Sequence, residues 1–416
     1  MHRVMITLAF VLFGLFISEI QSQTRDKDYL SIETAVNKAI ENNPELQTLL
    51  QNIDARKAIK LQSGLKPNPE LGFEAENIFG SNGYSGLNSG EITASISHNI
   101  LLAGKINKRV KVAEMEITLA EWDYESKRLE VITDIRRSFT KALTTQKIIK
   151  KNNELIKISN KLIQDLKARV EAGRISPAEV SRAQIILNML QIDINRLEAE
   201  YDSAIFELTT LINTPDLPIE LLKGELKNIT NLPDYDFLFS NLNNNPDIKR
   251  FSGEFDKQKA VIKYEESKAI PDLTVSAGFK RLNEVNANTF LIGASIPLPI
   301  FNRNQGSIQE AQIRLNQTTK EFETVKNKLT LQLKLYYNRL ETLISIAQKL
   351  KNESIPDAEK TFEIIQKGNL VGRFTMLDVL DAERTLFEIQ NQYLDTLGNI
   401  NIVVVEIEGL TIINVK

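Results

Sequence analysis

The chain has 416 residues, with 51 Lys and Arg against 54 Asp and Glu, a formal net charge of −3 and no cysteine. A balanced charge argues against a nucleic-acid partner, which calls for a basic face. Without cysteine there is no disulfide, no thiolate metal site and no residue to carry a lipid anchor. With His2 and His98 as the only histidines, neither a zinc site nor a catalytic group built on His or Cys can be assembled from one chain. No P-loop or dinucleotide glycine pattern is present, so neither an enzyme nor a bound cofactor or metal is expected.

At the start, His2 and Arg3 precede the apolar run VMITLAFVLFGLFI, and the polar SEIQSQ follows. That run is too short for a comfortable spanning helix, so residues 1–22 read as an export signal cut near Ser22/Gln23; a retained anchor is the alternative. Once the signal leaves, His98 is the only histidine.

From there the chain is written twice. ENNPELQ (Glu41–Gln47) returns as NNNPDIK (Asn243–Lys249), and Asn43-Pro44 stands 202 residues before Asn245-Pro246. Pro69 and Leu71 lie 202 residues before Pro271 and Leu273. Farther on the offset is 199: Gly173 to Gly372, Ser176 to Thr375, Glu179 to Asp378, Ala183 to Ala382. Anchors at one nearly constant offset identify a tandem repeat, spanning 23–215 and 216–416, the second copy shorter by three residues between strand start and tip.

Each copy opens on a short helical stretch followed by two alternating stretches. Leu71, Phe73 and Ala75 alternate with Gly72, Glu74 and Glu76, and Ile92, Ala94, Ile96, His98 and Ile100 with Thr93, Ser95, Ser97 and Asn99. The second copy alternates likewise from Leu273 to Lys280 and from Phe290 to Pro299. A period of two predicts strands at about 70–79, 91–100, 272–280 and 289–299, each close to the roughly 9–11 residues that cross a bilayer as a tilted strand. A soluble sheet alternates in the same way. Four strands cannot close a barrel, however, and open edges are not tolerated in lipid, so several chains contributing to one barrel fit better. His98 lies on the apolar parity near a strand end and reads as an interfacial residue.

Long segments free of Gly and Pro come next. Lys105–Ala172 would form a helix on the order of 100 Å long at 1.5 Å per residue. Ala178–Thr214 and Ser307–Ile355 are also unbroken, and Pro356 marks an interruption or kink. Ile148, Leu155 and Leu162 recur at seven residues, as do Ile149, Ile156, Ile163 and Val170. Two such columns predict a supercoiled helix with neighbours on two sides. An ordinary amphipathic bundle helix has similar stripes, but such helices run to only about 20 residues.

Between the long segments stand the paired phrases AGRISPAEVSRAQ and VGRFTMLDVLDAERTL. Each Gly ends a long run, as helix termini often do. Ser176 and Thr375 can cap the helices that follow, with Glu179 completing a capping box.

With NNPEL, IPDLTVSAGFKRL and IGASIPLPIFNRNQGSIQEAQ, these phrases resemble the TolC-like outer-membrane efflux proteins over essentially the whole chain after the signal. They are most similar to the branch paired with cobalt-zinc-cadmium exporters. The resemblance implies a mixed fold: a membrane β-barrel, with four strands per chain and twelve in a homotrimer, joined to a long α-helical coiled-coil tunnel in the periplasm. It implies tips at about 170–180 and 370–379, where Gly173, Arg174, Ser176, Gly372, Arg373 and Thr375 dock a periplasmic adaptor (membrane fusion protein). It further implies an inner-membrane transporter of the resistance-nodulation-division type, and outer-membrane lipid as surroundings.

By motif position Asp378 and Asp381 match aspartates that ring the closed end of such tunnels. Three copies would bring six carboxylates to one pore, repelling one another and attracting cations. Asp378 is equally a helix-start residue at a favourable dipole end. Glu179 matches a position in a gate salt link, but Phe374 stands where its basic partner belongs, which leaves Arg373 or Arg174 to replace it. The expected function is a passive exit duct. A duct for drugs or secreted proteins, or a soluble periplasmic coiled-coil scaffold, are the rivals.

Overall fold

A computed structural model describes residues 29–415, except 85, 216, 218 and 220; the expected export signal lies outside the described residues. In chain order the elements are β1 (Tyr29–Ser31), α1 (Ile32–Asn42), α2 (Pro44–Ser63), β2 (Glu70–Glu76), β3 (Glu91–Ile100), α3 (Lys105–Glu171) and α4 (Pro177–Leu211). They continue with β4 (Leu221–Lys223), α5 (Tyr235–Asn241), α6 (Pro246–Lys268), β5 (Leu273–Leu282), β6 (Ala287–Ser295), α7 (Gln305–Lys349), α8 (Ile355–Leu370) and α9 (Met376–Thr411). Among the described residues no helix is long and apolar enough to cross a membrane.

The repeat is visible element by element. Helix α3 has 67 residues; its counterpart is α7, a five-residue π-helical segment (Leu350–Ser354) and α8, running unbroken over 305–370. The π segment ends two residues before Pro356, whose missing N–H removes one rung of the α ladder, so the interruption expected at Pro356 has a defined form. Helices α4 and α9 match at 35 and 36 residues. The Asn-Pro pairs have a shared local cause. Asn43 and Asn245 are N-caps whose side chains accept from Leu46 N and Asp247 N, and Pro44 and Pro246 occupy first-turn positions where no N–H is needed.

The compact units are not the repeats. One takes residues up to Asn42, Asp134–Asn228 and Ser345–Ile402; the other takes Asn43–Thr133, Ile229–Ile344 and Val403 onward. Each draws on both copies.

In the second of these units, β2, β3, β5 and β6 form one antiparallel sheet in the order β2-β3-β5-β6. The register aligns the apolar parity across all four strands: Leu71–Ile96–Ala277–Ile292 in one row and Phe73–Ala94–Phe279–Phe290 in the next. Phe73, Phe290 and Ile292 are 76%, 83% and 92% exposed, so this face has no cover among the described residues. The opposite face carries Glu74–Thr93–Lys280–Thr289 and Gly72–Ser95–Gly278–Leu291. At the helix-connected end of the sheet, Asp272 accepts from Leu102 N (3.0 Å) and Lys105 Nζ (2.5 Å). Arg109 there donates to the carbonyls of Ser63 and Leu65. These bonds tie α2 and β5 to the first turns of α3.

The strand boundaries differ from expectation. β2 stops at Glu76 rather than 79, and β5 runs 273–282 rather than 272–280. β6 covers 287–295 rather than 289–299, because Pro297 and Pro299 cannot donate to a ladder. His98, opposite Val275, is half-buried on the apolar face with no hydrogen-bond partner for Nδ1.

The other unit holds the helical hairpins and a two-stranded parallel sheet of β1 on β4, Tyr29 opposite Leu221. The expectation of four strands per chain missed this pair, since three-residue strands are too short for a periodicity to register. Gln146 of α3 fixes β4, donating to Leu222 O and accepting from Leu222 N.

Candidate functional site

The two Gly-Arg phrases close their helices by the same bonds. In the first, Gly173 (φ +68°) donates to Val170 O at 2.9 Å and Arg174 N to Arg169 O at 2.9 Å. In the second, Gly372 (φ +76°) donates to Asn369 O at 3.1 Å and Arg373 N to Gly368 O at 2.9 Å. This is a Schellman closure, in which a residue with positive φ turns the chain and the next N–H reaches back five residues. Glycine is required there because a Cβ is strained at positive φ.

The helices that follow start differently. Ser176 caps α4 by accepting from Ala178 N at 3.2 Å, with Pro177 in the first turn. The capping box expected with Glu179 is not formed; Glu179 instead faces Arg182 at 3.6 Å, one turn along. The box belongs to the second copy. Thr375 N and Thr375 Oγ1 both donate to Asp378 Oδ2 at 2.7 Å, and Asp378 N returns a bond to Thr375 Oγ1 at 3.2 Å. At this position in the second copy the carboxylate reaches back to the cap, whereas Glu179 in the first extends to a cation. The Thr375 hydroxyl and N–H hold the Asp378 carboxyl below the usual aspartate range.

Among the described residues of one chain, Glu179 pairs with Arg182 rather than with Arg373 or Arg174. Arg182, the counterpart of Asp381, is three residues away on the same helical face, so it meets the carboxylate without crossing to another tip.

Asp378 and Asp381 are both exposed and lie one turn apart on α9. Together with Asp357, Thr361 and Ile365 of α8 they line one groove between the two helices. Asp381 is not alone: Arg384 Nη2 donates to its Oδ1 at 2.9 Å, and Arg384 Nε is 3.7 Å from Glu388. Among the described residues no group of His, Cys, Asp or Glu is arranged to hold a metal.

Packing separates the tips more sharply than their turns do. Leu162, Ile163 and Leu166 of α3 form a buried cluster with Ala183 and Leu187 of α4 and Leu380 of α9. Farther along, Asn391 donates to Asn152 at 2.5 Å, extending the α3–α9 contact. By contrast α8 has no buried residue. Phe374 lies over Gly368, where an added Cβ would collide with its ring.

Two residues went unnoticed in the sequence. Asp357 shares the groove with both aspartates. Glu383 is 3% exposed on the packed side of α9, and burial pushes its carboxyl up to about 7. Its signal was present: an acid between Leu380 and Phe387 on an otherwise apolar stripe.

A family profile described as outer membrane efflux protein matches residues 35–214 and again 239–411. The chain is 32% identical over 369 residues to the cobalt-zinc-cadmium resistance protein CzcC of Cupriavidus metallidurans, covering 89% of this chain and 87% of that one. It is 20% identical to the outer membrane protein TolC of Escherichia coli, covering 92% and 81%. Among solved structures, CusC superposes with a TM-score of 0.74 at 16% identity, covering 91% of each chain. VceC of Vibrio cholerae superposes at 0.70 and 18%, covering 91% and 96%. A duplicated pair of long helical hairpins joined to a sheet with one bare apolar face is thus the fold of the TolC-type channels. The protein belongs to the outer membrane efflux protein family.

Proposed function

We propose that the protein is the outer-membrane exit duct of a tripartite efflux system for metal cations. A resistance-nodulation-division type inner-membrane transporter and a periplasmic adaptor supply substrate and energy, and the duct conducts passively. The observation that carries the reading is at the second tip: Asp378 and Asp381 stand exposed beside Asp357 along one groove. Rings of carboxylates at a constriction attract cations and resist crowding. The cargo class follows from the 32% identity to a cobalt-zinc-cadmium resistance protein.

Self-association follows from what the chain leaves bare. The packed order of helices is α4, α3, α9, α8, with α3 flanked on two sides and the end helices on one. Ile185, Met189 and Ile192 of α4 form an exposed stripe, 59–66% accessible, and Ile364 of α8 is 54% accessible. The repeat makes an α4–α8 contact between copies the counterpart of the α9–α3 contact within one. Head-to-tail pairing whose rotation closes makes a ring, and a ring of three copies would supply twelve strands to one barrel with the apolar face in lipid and the polar face lining the lumen. The barrel holds the protein in the outer membrane without a lipid anchor, and the Gly-Arg tips, Gly173 to Ser176 and Gly372 to Thr375, meet the adaptor.

Replacing Asp378 and Asp381 together with Ala should raise single-channel conductance in planar bilayers and weaken block by polyvalent cations. Unchanged conductance and block would remove the gate assignment. Deleting the gene should sensitise its host to zinc, cobalt or cadmium; sensitivity to drugs alone would move the cargo class.

A further inference from the structure

On the polar face of the sheet, Glu76 of β2 and Glu91 of β3 stand directly opposite each other at the loop-connected end. Opposed like charges destabilise a strand pair, and two converging carboxylates are half of a hard-cation site. Lys280 of β5 resolves the conflict. Its Nζ lies 2.7 Å from Glu76 Oε2 and pairs with Glu91 Oε2 as well. Since Lys280 is in register with Thr93, its side chain spans β3 to reach β2, and Thr93 beneath it is 8% exposed. Asn77 Nδ2 donates to the other oxygen of Glu91 at 3.3 Å. Glu74, in register with Thr93, adds a further negative charge on the same face.

We propose that Lys280 is a tethered counter-cation that keeps the Glu76/Glu91 pair from retaining divalent cations as they leave the duct. The inference rests on the duct reading for the direction of the polar face, and it adds a residue that sets how the mouth treats its cargo. The surrounding glutamates leave the rim negative and attractive to cations. Where Glu76 and Glu91 converge, the place is already occupied by an ammonium that cannot diffuse away. An exit pore needs this combination, because conduction demands sites that are entered readily and left readily.

The chain has no cysteine, so Lys280→Cys introduces a single addressable thiol. In planar bilayers with Ca²⁺ on the loop side, Lys280→Cys should be blocked at a concentration at least about tenfold below wild type. Attaching an aminoethyl group through a disulfide should restore wild-type behaviour, and Glu76→Gln in the Lys280→Cys background should abolish the gained block. Equilibrium dialysis of the detergent-solubilised protein should show one additional Ca²⁺ per chain in Lys280→Cys, lost on aminoethylation. The fully folded protein enters both assays, and the aminoethylated sample shares its fold history with the unlabelled one. Equal Ca²⁺ binding with and without the aminoethyl group overturns the proposal. A wild-type protein that forms no channel overturns the duct reading instead, and the dialysis result still decides the role of Lys280.

Discussion

The two tips share their turn and differ in nearly everything that follows it. Both close on a Schellman bond set around Gly173 or Gly372. The α3/α4 tip then builds a core, with Leu166 only 2% exposed among Leu162, Ile163, Ala183 and Leu187. The α8/α9 tip buries nothing on α8, interrupts the helix before it with a π segment, and gathers three aspartates along one groove. Duplication thus preserved the local chemistry of the turn, while packing within the chain diverged: α3 is buried on its hairpin, and α8 is left open on its own. Elements that move are drawn from the least buried parts of a fold.

The strongest way to break that contrast is a matched pair of truncations. Leu166→Ala should cost about 3 kcal/mol, the usual penalty for deleting a buried leucine, whereas its repeat counterpart Ile365→Ala should cost under about 1 kcal/mol. Amide exchange at the two tips reads both. Equal losses would mean that α8 is as well packed as α3.

Next in size is a pH effect confined to α9. The Glu383 carboxyl sits at about 7 in the fold against an ordinary 4.5. Its protonated form is favoured by burial, so the stabilising contribution is complete below about pH 4.5 and is lost as pH rises through 7. Glu383→Gln should therefore stabilise α9 at pH 8 by about 2 kcal/mol, at 1.36 kcal/mol per pKa unit less an allowance for relaxation, and should change little at pH 4. Exchange protection measured at both pH values tests this; equal effects would show that Glu383 is solvated. Asp378 carries the opposite sign. Its carboxyl is held below 3.8 by Thr375, so the capping box is intact above that pH and weakens on acidification through the lowered value.

The smallest effects probe what the tips have in common. Gly173→Ala and Gly372→Ala should each cost about 1 kcal/mol through positive φ, and by similar amounts, since nothing stands within 4 Å of either added Cβ. Ser176→Ala should cost about 1 kcal/mol through the lost N-cap of α4. A much larger loss at one glycine would show that the turns are not equivalent.

Much of this was legible before the coordinates. Offsets of 202 and 199 placed every long helix beside its copy, and the absence of Gly and Pro from 105 to 172 fixed α3 to within a residue. The Asn-Pro and Gly-Arg phrases marked caps and closures because their causes are local. The site was legible only in outline. Asp378 and Asp381 were found by position, but the box that engages Asp378, the Arg384 partner of Asp381 and the contribution of Asp357 all depend on which rotamer and which neighbouring helix is at hand. Glu179 looked like the better box residue by pattern alone, but it is engaged by Arg182 one turn along.

The sequence by itself determined the duplication, the length of α3, the parity of the strands and the turn at each tip, because backbone propensity and periodicity act over a few residues. Only the tertiary structure decided which faces meet. It placed Leu380 against α3, left α8 bare, paired β1 with β4 across 190 residues of chain, and set Lys280 over the opposed Glu76 and Glu91. Those outcomes depend on register between distant segments, where a shift of one residue turns a strand's face over and a quarter turn of a helix exchanges its core for its surface.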